Sequence, residues 1–467
     1  MKLSSKVLLA MAISSITATA YAEPASQEFV PTTLAGASAQ SEAKGFIEDF
    51  SLGGQTRNWY SHESLYRGGS WKYQKHGKTL TDRNRTNWVQ GTILNASSGF
   101  TEGTVGVKAE VALYNVVALD RSRRDVKGSS NRTLGHSNGD PVDQWSKLGL
   151  ANVQFRVSNT TLTAGRQNFS TPIVDTIGNR ALPSSFQGVS FNSEEFSNLS
   201  FQGGVFDRVS PRTEQSLSKF RSEYSQQGAR SATTDKVYTL GANYQPFKSL
   251  KTSFFGANVK DFWNQYYFGA THELGDSQVL SLTTGLNYYK TVDEGKKLMG
   301  EIDNDTYSLS LGLAHQAHSL TFSYQEVNGN EYFDYLHETN GIYLANSLTS
   351  DFNGPNEKSF QIAYGINMAE YGVPGLKFNI YSARGWGIDG THYTGNRNGA
   401  YAYTGIETQD GEKHQEYGVG AGYAIQSGPL KATAIRATYV EHRGSEFQSD
   451  GSVKEFRLVT TIPFNIL

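Results

Sequence analysis

The side chains able to do chemistry in this sequence are charges set at every second position of strand-length segments. Between Thr104 and Tyr114, the residues Val105, Val107, Ala109, Val111 and Leu113 share one face, while Thr104, Lys108, Glu110 and Tyr114 share the other, because side chains on a strand repeat with period two. Arg57 shares a face with Asp49, Ser51 and Gln55, away from Phe50 and Leu52. Arg156 faces away from Val153, Phe155 and Val157, and Arg457 lies on one face with Glu455. Arg436 occupies the same kind of position late in the chain. A charge turned toward lipid near the bilayer midplane costs about 2–4 kcal/mol. If the segments span a membrane, these charges face water, and the chemistry open to them is electrostatic attraction of a passing ion.

Other reactive constellations are weak. His315 and His318 have a spacing that seats a metal on a helix, but here it straddles a short turn between strands. Gly385-Trp386-Gly387 lacks the strand-to-helix setting of a phosphate loop. No Gly-x-Ser-x-Gly elbow occurs. Asp389 with His392 comes nearest to the acid–base pair of a barrel hydrolase. We therefore expect no catalytic residues, metal ligands or cofactor.

The elements that must position the charges form an all-β chain. Alternating segments are expected at 46–60, 85–97, 103–116, 145–157, 160–168, 186–192, 198–208, 236–245 and 250–260. They continue at 264–274, 278–290, 304–315, 319–328, 357–368, 376–387, 414–425, 429–441 and 453–466. Eighteen is an even number, as bacterial barrels require. Short connections such as Ser158-Asn159 and Gln316-Ala317-His318 alternate with long ones over 61–84, 117–144, 169–185, 209–235, 329–356 and 388–413. That segregation suits a transmembrane antiparallel β-barrel better than a secreted soluble β protein.

Bulk properties agree. Lys2, Lys6, the apolar run Val7–Ile16 and Ala20-Tyr21-Ala22 read as a signal peptide over 1–22. A flexible leader follows over 23–44, then the barrel over 45–467. No later stretch approaches the ~20 apolar residues of a membrane helix, so a membrane-spanning form must be a closed barrel. The absence of cysteine excludes a disulfide framework. The near balance of 42 basic and 44 acidic residues argues against a nucleic-acid partner.

Several motifs resemble the OprD-like outer-membrane carboxylate channel family. They are Gly45-Phe46-Ile47-Glu48-Asp49 with Arg57-Asn58, Trp88-Val89-Gln90-Gly91, and Ser98 through Gly106. Arg180-Ala181-Leu182-Pro183, Asp351 through Ser359, Gly372 through Leu376 and Gln426 through Lys431 follow in order. The resemblance implies an eighteen-stranded outer-membrane porin of a Gram-negative bacterium, a monomer or weak trimer in contact with lipid and lipopolysaccharide. It also implies passive diffusion of small carboxylate-bearing solutes past a row of basic side chains. Those candidates are Arg57, Lys108, Arg156, Arg436 and Arg457.

The same resemblance implies that the third and seventh connections on the long-loop rim, over 169–185 and 329–356, fold inward and narrow the pore. Asp175 and Arg180 of the third loop, and Asp334 and Asp351 of the seventh, are the candidates there. Tyr332, Phe333, Tyr335, Tyr343 and Phe352 tilt the expected solutes from amino acids toward benzoate-like aromatic acids. The chain departs from the family pattern at Thr438, where a second arginine usually follows Arg436, and at Asn179 and Ala181 beside Arg180. A rim enzyme with a hydrolytic pair and an adhesin-like structural barrel are the alternatives from other classes.

Overall fold

The structure is a computed structural model that describes residues 32, 37–67, 70–75, 78–120, 142–225, 232–395, 401 and 404–467. Apart from Thr32 and 37–44, the expected signal peptide and leader lie outside the described residues.

Eighteen antiparallel strands form one sheet. In chain order they are Ser51–Arg67, Asn84–Ser97, Val105–Ala118, Gln144–Val157, Thr160–Gln167, Ser185–Phe196, Leu199–Ser210, Val237–Phe247 and Leu250–Val259. The rest are Trp263–Asp276, Leu280–Asp293, Asp303–His315, His318–Asn328, Lys358–Asn367, Leu376–Asp389, Asp410–Ala424, Ala434–Gly444 and Ser452–Asn465. The first strand pairs with both the second and the last, Arg57 lying opposite Gly91 on one side and Thr461 on the other. The sheet is thus closed and presents no unpaired edge.

The alternation sorts side chains as lipid outside and water inside demand. Val105, Val111 and Leu113 are about half exposed on the outer wall, while Ala112, Tyr114 and Val116 of the same strand are buried inside. Phe360 with Ile362, Phe378 with Ile380, Tyr417 with Val419 and Phe456 with Leu458 repeat the outward pattern on neighbouring strands. Among the described residues, no helix is long and apolar enough to cross a membrane.

All eighteen expected segments coincide with strands, with differences at several ends and in the loops. The first strand begins at Ser51, because 46–49 form a turn in which the Phe50 amide donates to the Ile47 carbonyl (3.0 Å). It also runs on to Arg67, pairing with the last strand beyond the range expected for it. The seventeenth begins at Ala434, because Ala432 takes a left-handed conformation and the turn binds itself through Lys431 to Gly428. The first long loop contains a separate hairpin, Trp71–Lys75 with Lys78–Asp82. On the long-loop rim, the connections over 260–262 and 445–451 are short.

The described end of the leader is tied to the short-turn rim. The Gln40 amide donates to the Ser158 carbonyl (3.0 Å), and its side chain donates to the carbonyls of Thr101 (2.9 Å) and Gly103 (3.0 Å).

Two apolar clusters fill much of the lumen. The larger joins Phe169, Ile173 and Val174 of the third long loop to Tyr332, Phe333, Leu336 and Leu344 of the seventh, against Phe206, Phe255 and Tyr289 of the wall. The smaller seats Ala181 and Leu182 against Trp59, Val89, Tyr114 and Trp145. Loops over 168–184 and 329–357 therefore enter the barrel because their apolar residues find a core there.

Candidate functional site

The wall strands that carry Arg436 and Arg457 come near the third loop, where the Arg457 and Arg180 charges act on each other. Arg457 stands opposite Ser61 and Thr438, and Arg436 opposite Val459, so both point inward from adjacent strands. Each is half-buried. The Arg457 guanidinium holds Glu455 Oε1 at 2.6–2.8 Å and covers the Trp59 ring at 5.0 Å. Arg436 takes part in no ion pair among the described residues, and it lies near enough to Arg457 for the charges to act on each other.

Arg57 also points inward but is withdrawn from solvent, 2% exposed. Its Nη1 donates to the carbonyls of Gly178 (2.9 Å) and Arg180 (2.8 Å), and its Nε donates to Thr461 Oγ1 (3.2 Å). Next to it, Gly91 makes room for the loop. A Cβ there would lie 2.7 Å from the Ala181 carbonyl oxygen, so the third loop rests flat on the wall at this glycine.

Held this way, the Arg180 side chain projects half-buried among Arg85, Arg212, Arg457 and Glu63. Burial lowers its pKa to about 10, which keeps it cationic at neutral pH. Glu63 is occupied by Arg85, whose Nη2 reaches Glu63 Oε1 at 2.5 Å. Arg180 and Arg436 are therefore the partly exposed cations of this stretch that lack a carboxylate contact among the described residues, Arg57 being buried.

Lys108 and Arg156 sit apart from this group, at the short-turn rim. Both cover the Phe100 ring, at 5.8 and 3.8 Å, and Arg156 Nε donates to Gln40 Oε1 (3.0 Å). The five basic candidates thus fall into an upper pair, a rim pair and one structural clamp.

The acidic candidates of the loops serve packing. Asp334 is 2% exposed and accepts from the Ser222 hydroxyl, the Tyr335 amide (2.7 Å) and the Tyr401 hydroxyl (3.1 Å). Burial nonetheless pushes its carboxyl up to about 7. Asp351 accepts from the hydroxyls of Tyr335 (2.6 Å) and Ser347 (2.7 Å), and burial raises it to about 6. Asp175 accepts from Asn340 (3.2 Å) and Tyr343 (3.4 Å), and burial raises it to about 6. Of the loop aromatics, Tyr332, Phe333, Tyr335 and Phe352 are buried in the loop core, and Tyr343 is partly buried against it. The aromatic rail that favoured benzoate-like solutes is spent on packing.

Sequence reasoning did not single out a second set. Arg212 donates to the Glu338 carboxylate from its backbone amide (2.9 Å) and its Nε (2.8 Å). His337 bridges Glu338 (3.3 Å) and Glu223 (2.6 Å). Burial opposes charge on Glu338, but Arg212 and His337 hold it well below the usual range. Burial opposes charge on His337 as well, yet Glu223 and Glu338 raise its pKa. Lys147, 5% exposed, donates to the Pro211 carbonyl. Inward parity opposite Trp88 was the available signal for Arg85; the loop pairs had none, since loops carry no period.

A family profile described as "outer membrane porin, OprD family" matches residues 44–466. Porin D of Pseudomonas aeruginosa is 36% identical over 440 residues, 92% of this chain and 94% of that protein. The porin-like protein GalP of Pseudomonas putida is 27% identical, over 94% and 98% of the two chains. The crystal structure of Pseudomonas aeruginosa OccD3 (OpdP) superposes with a TM-score of 0.80 at 45% identity, covering 92% of this chain and 94% of that one. Such relatives are channels, and their short turns and long loops are those of the outer membrane. The chain belongs to the OprD family of outer membrane porins.

Proposed function

We propose that this porin lets small carboxylate-bearing solutes, amino acids or benzoate-like aromatic acids, diffuse passively and selectively across the outer membrane. The observation that carries the reading is the pair of cations without a carboxylate contact, Arg180 and Arg436, beside the half-exposed Arg457. Selective passage needs attraction strong enough to draw a solute in and weak enough to release it. A unit charge pair at 4 Å in an effective dielectric near 20 is worth about 4 kcal/mol. Several shallow cations in series therefore serve better than one deep site.

Lys108 and Arg156 extend the track toward the periplasmic exit in this reading. Arg57 contributes by holding Arg180 in place rather than by touching solute. Asp175, Asp334 and Asp351 shape the constriction through the loops they fasten. Because these acids are engaged in packing, an ammonium group finds little counter-charge, and solutes whose charge is a carboxylate alone are favoured over basic amino acids. Residues 1–22 act as the export signal, and the described end of the leader, 37–44, lies at the periplasmic face.

The test is planar-bilayer recording of purified protein with a panel of acids: benzoate, acetate, glutamate, arginine and lysine. Stepwise conductance blocked or modulated by the monocarboxylates at lower concentration than by arginine and lysine is expected. Equal indifference to every acid, with cation selectivity, would overturn the reading.

A further inference from the structure

We propose that the barrel carries a zinc-type divalent metal site where its wall meets the seventh loop, formed by His414, His442 and Asp450. His414 and His442 point inward from the neighbouring strands Asp410–Ala424 and Ala434–Gly444, and Asp450 comes from the 445–451 loop. One ligand atom from each lies within 4.8 Å of the others. The two imidazoles face each other, His414 Nδ1 standing 2.7 Å from His442 Nε2.

The surroundings favour a cation between them. His414 Nε2 lies 2.5 Å from Glu357 Oε1, so the carboxylate accepts a hydrogen bond from that nitrogen and, in the neutral ring a metal requires, the Nδ1 lone pair faces His442. A carboxylate behind a histidine is the arrangement that orients metal-ligating imidazoles and raises their basicity. Gly385 leaves room for this pair, since a Cβ there would crowd Glu357 Oε1 and lie 2.6 Å from His414 Nε2. On the other ring, His442 Nδ1 is buried without a hydrogen-bond partner among the described residues. A metal on Nε2 would move the proton to Nδ1, on the side of the Gly451 carbonyl.

Space and donor set fit as well. A void of about 10 Å³ beside Ser350, Glu357, His414 and Asp450 is about what one water or ion needs. Ser350 Oγ lies 2.6 Å from Asp450 Oδ2 and 3.3 Å from His414 Nδ1, and a water in the void would complete the sphere. The Phe352 ring stacks on His414 at 4.2 Å and closes the site from above. Zinc–nitrogen bonds of about 2.0–2.1 Å set two tetrahedral ligands roughly 3.3 Å apart, so the imidazoles must part by roughly 0.6 Å. The widest-set ligand atoms, now within 4.8 Å of one another, must close by up to roughly 1.5 Å, movements that side-chain rotation and the Asp450 loop can supply. Two imidazoles and a carboxylate suit Zn²⁺, Ni²⁺ or Cu²⁺. Bound there, the ion would clamp the 445–451 loop and the seventh loop to the wall, whatever solute the pore admits.

Tag-free protein, stripped with a chelator in detergent, is titrated with Zn²⁺ by calorimetry and with Co²⁺ by visible absorption. One saturable equivalent per chain and a tetrahedral cobalt spectrum are expected. Asp450→Asn, on a loop, and His442→Gln should each weaken binding at least tenfold, and Glu357→Gln about 10–100-fold. Should His442→Gln fail to fold, Asp450→Asn decides alone. Absence of a one-equivalent isotherm, or binding unchanged in Asp450→Asn, would overturn the assignment and leave the histidine pair a purely structural hydrogen bond.

Discussion

Arg57 and Arg180 are joined side chain to backbone. The Arg57 guanidinium on the barrel wall donates to the Arg180 carbonyl at 2.8 Å and to the Gly178 carbonyl at 2.9 Å, so one wall arginine sets where another arginine meets the pore. Replacing Arg57 with Gln removes the guanidinium donors and leaves two part-buried acceptors unmet. An unsatisfied buried group costs about 1–3 kcal/mol, and the third loop should lift rather than bear that cost. We expect a larger, noisier single-channel conductance and a lower melting temperature in detergent. An unchanged current trace would mean that the loop is held by its Ala181 and Leu182 packing alone.

Arg436 and Arg457 make a graded pair. Replacing Arg436 with Gln subtracts a charge that no carboxylate contacts, so the reversal potential should move toward cation preference with the melting temperature unchanged. Replacing Arg457 with Gln subtracts the same charge but strands Glu455, which is 4% exposed. Losing one partner of a buried ion pair is strongly destabilising. That variant should therefore shift both the reversal potential and the melting temperature. Reversal potentials in a salt gradient, measured at low ionic strength where screening is weak, settle the matter. If both variants keep the parent value, these arginines do not govern selectivity.

Gly385 offers a packing test separate from any metal. Gly385→Ala places a methyl against Glu357 and His414, and overpacking of this kind costs about 1–3 kcal/mol. Gly178→Ala meets nothing within 4 Å and serves as the control. Differential scanning of the two variants should show a lower transition for the first and none for the second. Equal transitions would show that the Glu357–His414 contact yields without cost.

The wall was legible in the sequence and its contents were not, for one physical reason. Lipid on one side and water on the other imprint a period of two, so Val105 to Leu113 declare their direction without any partner being known. The same parity turned Arg57, Arg436 and Arg457 inward. It could not tell that a loop 121 residues away would cover Arg57 and leave Arg436 open, since that contact links positions with no shared pattern. The loop aromatics had the same difficulty: Tyr332 and Phe352 read as pore-facing groups until their partners, Gln409 and His414, are known. Ends of strands failed where local turns won, at Phe50 and at Ala432.

The inward loops should also respond to pH, and the sign follows from their buried groups. Asp334, near 7, and Asp175 and Asp351, near 6, are raised by burial. Their contribution is full below the unfolded value of about 4 and is lost as pH rises through 6 to 7. His337 is raised by Glu223 and Glu338 against burial, so its contribution is present below about 6.5 and fades as pH climbs past its folded value. Glu223 runs the other way. Burial would raise it, but His337 lowers it to about 2, so its contribution is present above about 4.5 and lost only as pH falls toward 2. The loop package should be firmest near pH 5 and loosen between 6 and 8. Hydrogen–deuterium exchange of the 329–357 loop, corrected for the intrinsic pH dependence of exchange, should show protection falling severalfold from pH 5 to pH 8. In Asp334→Asn, which stays neutral throughout, that decline should be smaller. Protection that is flat in the parent, or that falls equally in both proteins, would show that Asp334 is not what loosens the loop.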